Sequence, residues 1–467
     1  MTSRSTEPMR TYPFFVPAVA ALLTGGLASV VMTRPAEIYP AFTSASATDE
    51  TLYLVSRNGA SLWAIARRSG ELEWRYKGAV LVNEPPIIVK PWAIIADGDV
   101  LRWIDLQSGR QVRETGPVWT FQWWGPLLLR GAVLVRTPHG PLYPSWEGVA
   151  GLSSDGETMW TRENMVALPG VKSYLAAVGP ADRSHLALRR LNPETGEDVW
   201  VHLLPSASGI YLKEQMEQVR QILDVPGGNL LVLWNDLERD TSDPYKLKTT
   251  GLKVLSVHPK EGLVRPNIQA NQSISRVDAD ALLDAQLVVA DERAYLAEVR
   301  GEGGAPAAVR ISSVDPASGL ITHQDTTPLS KSQPSMQPKV AGLAEPRGES
   351  QERVLVLYAP KGCIVWGVGL ETKQVKWVWE SEVTEKHEIA VMVVGHQVVV
   401  GEARQAIPGD FTSWQRLAVC LDAATGTKMW EYLDDERVPA QREGPFPLLL
   451  VSSLISHWSV GGGLLRR

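Results

Sequence analysis

The feature that most constrains this chain is a short turn phrase that recurs along it. A Ser or Thr precedes a Gly, and a Trp follows four positions after the Gly. The intact copies run from Ser69-Gly70 to Trp74, from Thr195-Gly196 to Trp200 and from Thr425-Gly426 to Trp430. Variants run from Asp155-Gly156 to Trp160 and from Thr372-Lys373 to Trp377, and the turn without the Trp stands at Ser108-Gly109, Glu261-Gly262 and Ser318-Gly319. A turn that recurs every forty to sixty residues, roughly, predicts a repeat fold in which each unit buries its faces against its neighbours.

Each turn lies between short strand-like segments. Apolar runs such as Ser61–Ala66 and Leu417–Leu421 precede the turn and are too short for helices. In four copies the residue four positions before the Gly position has a side chain that can accept hydrogen bonds from the turn amides, at Asp105, Asn192, Asp315 and Asp422. The turn and the Trp-bearing segment after it therefore predict a tight hairpin in every unit.

A second kind of apolar strand precedes each hairpin, at Leu127–Val135, Asn229–Trp234, Gln286–Ala290 and Ile389–Val394. Three to four strands in each of eight units, without a long helical pattern, predict an all-β fold, an eight-bladed β-propeller. We expect each Trp to lie flat between adjacent blades, where its indole N–H can donate to a neighbouring carbonyl. The turn glycines and the tryptophans are therefore interpreted as structural residues.

The segment from Leu417 to Trp430 nearly matches the pattern Leu-Ala-x-Leu-Asp-x-x-Thr-Gly-x-x-x-Trp. It resembles the tryptophan-docking repeat of PQQ-like, quinoprotein-type propellers, and the resemblance covers most of residues 50–455. That family has two functional branches. Quinoprotein dehydrogenases hold pyrroloquinoline quinone (PQQ) and calcium on the propeller axis, whereas cofactor-free propellers include the outer-membrane barrel-assembly lipoprotein. The repeat indicates the scaffold and does not choose between the branches.

The resemblance implies that a dehydrogenase of this family would carry a calcium-binding carboxylate and amide, a catalytic Asp and, in many members, two adjacent cysteines. Cys363 and Cys420 lie in different repeats, so the adjacent pair is absent. They are interpreted as two buried thiols, with a disulfide between blades as the alternative. The densest acidic cluster, Asp278-Ala-Asp280 with Asp284, lacks the Gly and the closing Glu of a calcium loop. No catalytic and no metal-binding residue is predicted.

A charge-free stretch runs from Phe14 to Met32 and is long enough to span a membrane as a helix. Arg4 and Arg10 precede it and favour a cytoplasmic position for the N-terminus. We divide the chain into a cytoplasmic tail (1–12), a transmembrane signal anchor (13–33), a linker (34–50) and the propeller (51–460). The alternative is a cleaved signal peptide ending at Gly26–Ala28. Both interpretations place the propeller outside the cytoplasm, on the periplasmic side of the cell membrane.

Four segments stand apart from the repeat. Phe446–Ser456 is expected to be a strand that completes a first blade whose own first strand is missing. Tyr211–Leu223 has one apolar helical face and predicts a short helix. Residues 324–352 are polar and predict a mobile surface loop. Trp119–Trp124 is interpreted as packing between blades, with an exposed binding platform as the alternative.

These observations favour a membrane-tethered, non-catalytic protein-interaction or assembly scaffold that works without a cofactor. The alternative is a PQQ- and calcium-dependent dehydrogenase that oxidises an alcohol or a sugar, and a third interpretation is the ligand sensor of an envelope complex. A protein partner is expected. Nucleic-acid binding is not, because the net charge is −6 and the basic residues form no stripe.

Overall fold

The computed structural model describes residues 42–439 except 43, 57–60, 79–84, 98–99, 115–134, 138–139, 146–147, 153–157, 164, 168–174, 181–185, 193, 204–218, 226–228, 240–246, 259–263, 266–276, 279–280, 302–305, 333, 349–351, 383–387 and 406–412. The described strands form eight sheets, which we name A to H in chain order.

Sheet A consists of β1 (Ser44–Ala47), β2 (Thr51–Ser56), β3 (Ser61–Ala66) and β4 (Leu72–Lys77). Sheet B consists of β5 (Ile87–Val89), β6 (Trp92–Asp97), β7 (Val100–Asp105) and β8 (Gln111–Glu114). Sheet C consists of β9 (Val135–Thr137), β10 (Gly140–Ser145), β11 (Gly148–Leu152) and β12 (Thr158–Glu163). Sheet D consists of β13 (Val166–Ala167), β14 (Leu175–Pro180), β15 (Leu186–Leu191) and β16 (Asp198–Leu203).

Sheet E consists of β17 (Val219–Asp224), β18 (Leu230–Arg239), β19 (Leu247–Val257), β20 (Val264–Arg265) and the added β21 (Val277–Asp278). Sheet F consists of β22 (Leu282–Ala290), β23 (Arg293–Arg300), β24 (Ala308–Val314) and β25 (Ile321–Pro328). A 3-10 turn at Pro334–Met336 leads to sheet G, with β26 (Lys339–Ala344), β27 (Val354–Ala359), β28 (Ile364–Gly369) and β29 (Val375–Glu380). Sheet H consists of β30 (Ala390–Val394), β31 (Gln397–Gln405), β32 (Ser413–Asp422) and β33 (Lys428–Pro439).

Apart from β21, which pairs with β19, the strands of every sheet form an antiparallel meander whose order follows the chain. The first strands of neighbouring sheets lie beside one another, as β1 does with β5 and with β30. Apolar clusters join sheet A to B, E to F, F to G, G to H and H to A. The core is therefore a series of layers between sheets, which is the packing of a β-propeller.

The position of a strand in its sheet decides its burial. The second and third strands face neighbouring sheets on both sides, so they form continuous buried apolar runs such as β27 and β28. The fourth strands alternate instead, and exposed residues flank a more buried Trp in β4, β16 and β29. The fourth strands therefore supply the outer surface of the described sheets.

Sheet H packs against sheet A. Phe42, Trp63 and Leu54 of the first repeat share an apolar cluster with Val399 and Trp430 of the last. Trp63 makes an edge-to-face contact with Phe42, with ring centroids 5.9 Å apart. The first and the last described sheets are therefore neighbours.

Three sequence-based expectations are wrong. The first strand of sheet A is not missing, because Ser44–Ala47 pairs antiparallel with β2. The predicted helix fails at its C-terminal end, since Val219–Asp224 is β17, where Ile222 is fully buried and pairs with Val232. Residues 324–352 do not form one mobile loop, because they contain the end of β25, the 3-10 turn and β26.

Other predicted segments lie outside the described residues, namely 1–40, Trp119–Trp124, 211–218 and Phe446–Ser456. Within the described ranges, no helix has the length and apolar character needed to cross a membrane.

Candidate interaction surface

The docking tryptophans pack on the turn glycines of the following sheet. The indole N–H of Trp74 donates to the carbonyl of Leu106 over 2.9 Å, and a Cβ placed on Gly109 would lie 2.6 Å from the Trp74 ring. In the same way, the indole N–H of Trp377 donates to the carbonyl of Ala423 over 2.8 Å, and its ring packs on Gly426. The prediction that each ring lies between neighbouring sheets is confirmed for these pairs.

Two further contacts extend the pattern. The Trp160 ring lies so close to Gly196 that a Cβ there would be 2.5 Å away. Trp430 donates to the carbonyl of Arg67 over 2.8 Å and packs on Gly70. The four contacts join sheet C to D, G to H, H to A and, through Trp74, A to B.

The turns share one hydrogen bond. The amide at the Gly position donates to the carbonyl four residues earlier, as from Gly70 to Ala66 and from Gly426 to Asp422. The predicted caps are confirmed, because side-chain oxygens accept from turn amides at Asp105, Asn192, Asp315 and Asp422. In sheet G, Lys373 takes the Gly position with a φ of 56° and makes the same backbone bond.

The remaining predicted residues are placed as follows. Gly156 and Gly262 lie outside the described residues. Trp200 is buried in β16. A Cβ on Gly319 would meet the carbonyl oxygen of Val254 at 2.8 Å, so the sheet E backbone takes the place of a Trp there. The predicted residues that the structure describes are therefore spread over several sheets and do not gather at one site.

Among the described residues, no group of three or more His, Cys, Asp or Glu side chains could hold a metal ion. Asp284, on the first strand of sheet F, has both carboxylate oxygens engaged, one by Arg220 of sheet E and the other by the amide of Val340 of sheet G. This carboxylate therefore ties sheets E, F and G together.

The two cysteines are free, so the alternative of a disulfide between blades is wrong. Cys420 is fully buried in β32, and burial raises the pKa of its thiol to about 12. Cys363 is half-buried in the turn between β27 and β28. Only Cys363 is therefore placed to react.

A buried carboxylate lies between sheets G and H. Glu402, in β31, accepts a hydrogen bond of 2.8 Å from the hydroxyl of Ser381. Burial raises the pKa of Glu402 to about 7, and the nearby charges of Glu431 and Glu382 add to the shift. The position is structural, because this side chain is almost inaccessible to solvent.

The outer face of β16 is the surface that differs from its counterparts. Val199, Val201 and Leu203 alternate along the strand, so they share one face, and they are 54%, 44% and 55% exposed. The buried Trp200 lies between them on the opposite face. The result is a continuous exposed apolar row on a strand that its Trp anchors.

The matching faces of two other fourth strands, β4 and β29, carry charges. In β4 the residues on either side of Trp74 are Glu73, Arg75 and Lys77, and Arg75 forms a 2.6 Å ion pair with Glu436. In β29 a single valine, Val378, lies between two ion-paired residues, Lys376 and Glu380. Edge strands are normally protected from association by such charges, and β16 lacks them on this face.

Sequence reasoning did not single out this face. The sequence does contain a signal for it. The positions one before, one after and three after each repeat Trp lie on one face of the strand, and their residues can be compared between repeats. They read Glu, Arg, Lys around Trp74 but Val, Val, Leu around Trp200. Only the structure shows that these positions are exposed.

Several solved structures are similar to this chain at low identity. BamB from Moraxella catarrhalis is 16% identical, with 74% of this chain and 85% of BamB covered and a TM-score of 0.41. Quinohemoprotein alcohol dehydrogenase from Comamonas testosteroni is 11% identical, with 86% and 68% covered and a TM-score of 0.36. AztD from Citrobacter koseri is 11% identical, with 84% and 96% covered and a TM-score of 0.44.

No family model and no curated protein matches the sequence. The assignment as a β-propeller therefore rests on the sheet order and the Trp-to-Gly docking contacts of this chain.

Proposed function

We propose that the chain is an eight-bladed propeller, with one blade for each sheet, that serves as a non-catalytic protein-interaction or assembly scaffold and needs no cofactor. The observation that carries this proposal is the apolar face of β16. An exposed row of three apolar side chains on an edge strand costs solubility unless another surface covers it. A protein partner that binds this face explains why the charges found on β4 and β29 are missing from it.

The proposal places the scaffold at the membrane. The charge-free stretch from Phe14 to Met32 would tether it, with the propeller on the periplasmic side. This part of the proposal is supported by the sequence alone.

The test begins with a photo-crosslinking amino acid at position 201 in cells that make the protein. The crosslinked partner is identified, purified and titrated with full-length wild type, V201K and V378K. Val378 is the matched control, because it follows the docking Trp in the same way and is 37% exposed.

We expect V201K to weaken binding of the purified partner by at least about tenfold, since a charge would be buried at the centre of the contact. V378K should bind as the wild type does. Equal effects of the two variants, or none from V201K, would contradict the proposal.

A further inference from the structure

The backbone of β16 ends its sheet. In sheet D the order is β13-β14-β15-β16, so among the described strands only β15 is hydrogen-bonded to β16. The pairing is regular from Ala187 with Leu203 to Arg190 with Trp200, and the irregularity falls at the N-terminal end, next to Leu191. The bulge therefore lies at Val199, which has no partner in β15, whereas Val201 and Leu203 lie in the regular part of the ladder, where no bulge turns the edge away from a partner.

The charged residue at the N-terminal end of β16, Asp198, already has partners. The carboxylate of Asp198 accepts hydrogen bonds from Arg189 over 2.5 Å and from Arg162 of sheet C over 3.1 Å. Arg162 also donates to the carbonyl of Gly196 over 3.2 Å. These contacts hold the start of β16 in place and satisfy its charge. An occupant of the face therefore needs no charge of its own to match it.

The size of the face excludes a second copy of this chain as the simplest occupant. A stable protein interface buries about 800 Å² on each partner, and three half-exposed side chains are far below that. An occupant of so small a face needs another source of affinity. Backbone hydrogen bonds along an open strand edge are such a source, and alternate side chains then supply specificity.

We propose that the partner adds a strand to the open edge of β16. The occupant is an extended segment of another protein whose pairing residues are uncharged, with branched apolar side chains at alternate positions that lie beside Val201 and Leu203 on the same face. This inference rests on the proposed function and specifies how the partner binds.

The test uses a parent peptide and two N-methylated derivatives of it that are isomers of each other. The parent is acetyl-Lys-Thr-Val-Thr-Val-Thr-Val-Thr-Lys-amide with a fluorescent label. One isomer is N-methylated at its three valines and the other at three of its four threonines. Successive amides of a strand point to opposite edges, so each isomer blocks one edge while composition stays the same.

Binding to the full-length protein is measured by fluorescence anisotropy, with V201K and V378K as the matched variants. We expect the parent to bind with saturation, V201K but not V378K to weaken binding, and one isomer to lose at least about tenfold more affinity than the other.

Equal affinities of the two isomers would overturn strand addition, while the partner test at Val201 would still decide the scaffold function on its own. No saturable binding of the parent up to about 1 mM would also overturn it. A wild type that dimerises in sedimentation while V201K stays monomeric would replace the proposed occupant with a second copy.

Discussion

The indole N–H of Trp430 donates to the carbonyl oxygen of Arg67 over 2.8 Å, although 363 residues separate them. The same carbonyl accepts from the side-chain amide of Gln397 over 3.0 Å, and the Arg67 guanidinium donates back to Gln397 over 2.8 Å. Gln397 belongs to β31 and Arg67 follows β3, so these bonds join the last described sheet to the first. Side-chain hydrogen bonds therefore connect two sheets that are far apart in the sequence.

The close contact between Gly70 and Trp430 predicts that adding one methyl group at Gly70 destabilises the fold. Gly70 has a φ of 76°, and a Cβ would lie 2.8 Å from the Trp430 ring. We expect Gly70→Ala to lower the free energy of unfolding by about 2–4 kcal/mol, from backbone strain and overpacking together. Gly348→Ala is the control, because a Cβ there meets nothing within 4 Å. Equal melting temperatures for the two variants in thermal denaturation would contradict the account.

Glu402 predicts a pH dependence. Because burial raises the pKa of Glu402 to about 7 from the usual 4.5, the folded protein retains a proton that the unfolded chain releases between these values. The contribution of this group to stability therefore falls as the pH rises from about 5 to 8. Glu402→Gln cannot ionise, so its advantage over the wild type should grow across that window in urea denaturation. A difference that stays constant with pH would show that Glu402 does not titrate there.

The two thiols should differ in reactivity. With the pKa of Cys420 raised to about 12, the folded protein at pH 8 should offer only Cys363 to a thiol reagent such as Ellman's reagent. We expect one thiol to react in the native state and two after denaturation. The Cys363→Ser variant should lose the native reaction. Native labelling that persists in this variant would mean that Cys420 is accessible.

The absence of a cofactor is tested by titrating the full-length protein with PQQ plus calcium and following Trp fluorescence. The proposed scaffold predicts no saturable quenching, and calcium alone serves as the control. Saturable quenching at micromolar PQQ would support the dehydrogenase alternative instead.

The sequence predicts the docking contacts well because each repeat carries a small turn residue and a bulky Trp at a fixed spacing, as at Gly426 and Trp430. The contact then forms between the Trp of one repeat and the turn of the next, as between Trp377 and Gly426. It does not reveal β1, because Ser44–Ala47 has no apolar strand pattern and is defined only by its pairing with β2. In β17 a few apolar positions happened to fit a helical spacing, whereas pairing with β18 decides the conformation. The face of β16 required the structure, because exposure of an apolar residue depends on which strand ends the sheet.

The most direct measurement of the central claim is thiol accessibility in intact cells. V201C and V378C, each in the Cys363→Ser background, are treated with a small membrane-impermeant maleimide before and after purification. The account predicts equal labelling of the purified variants, and in cells labelling of V378C with protection of V201C. Equal labelling of both in cells would contradict the claim that a partner covers the outer face of β16.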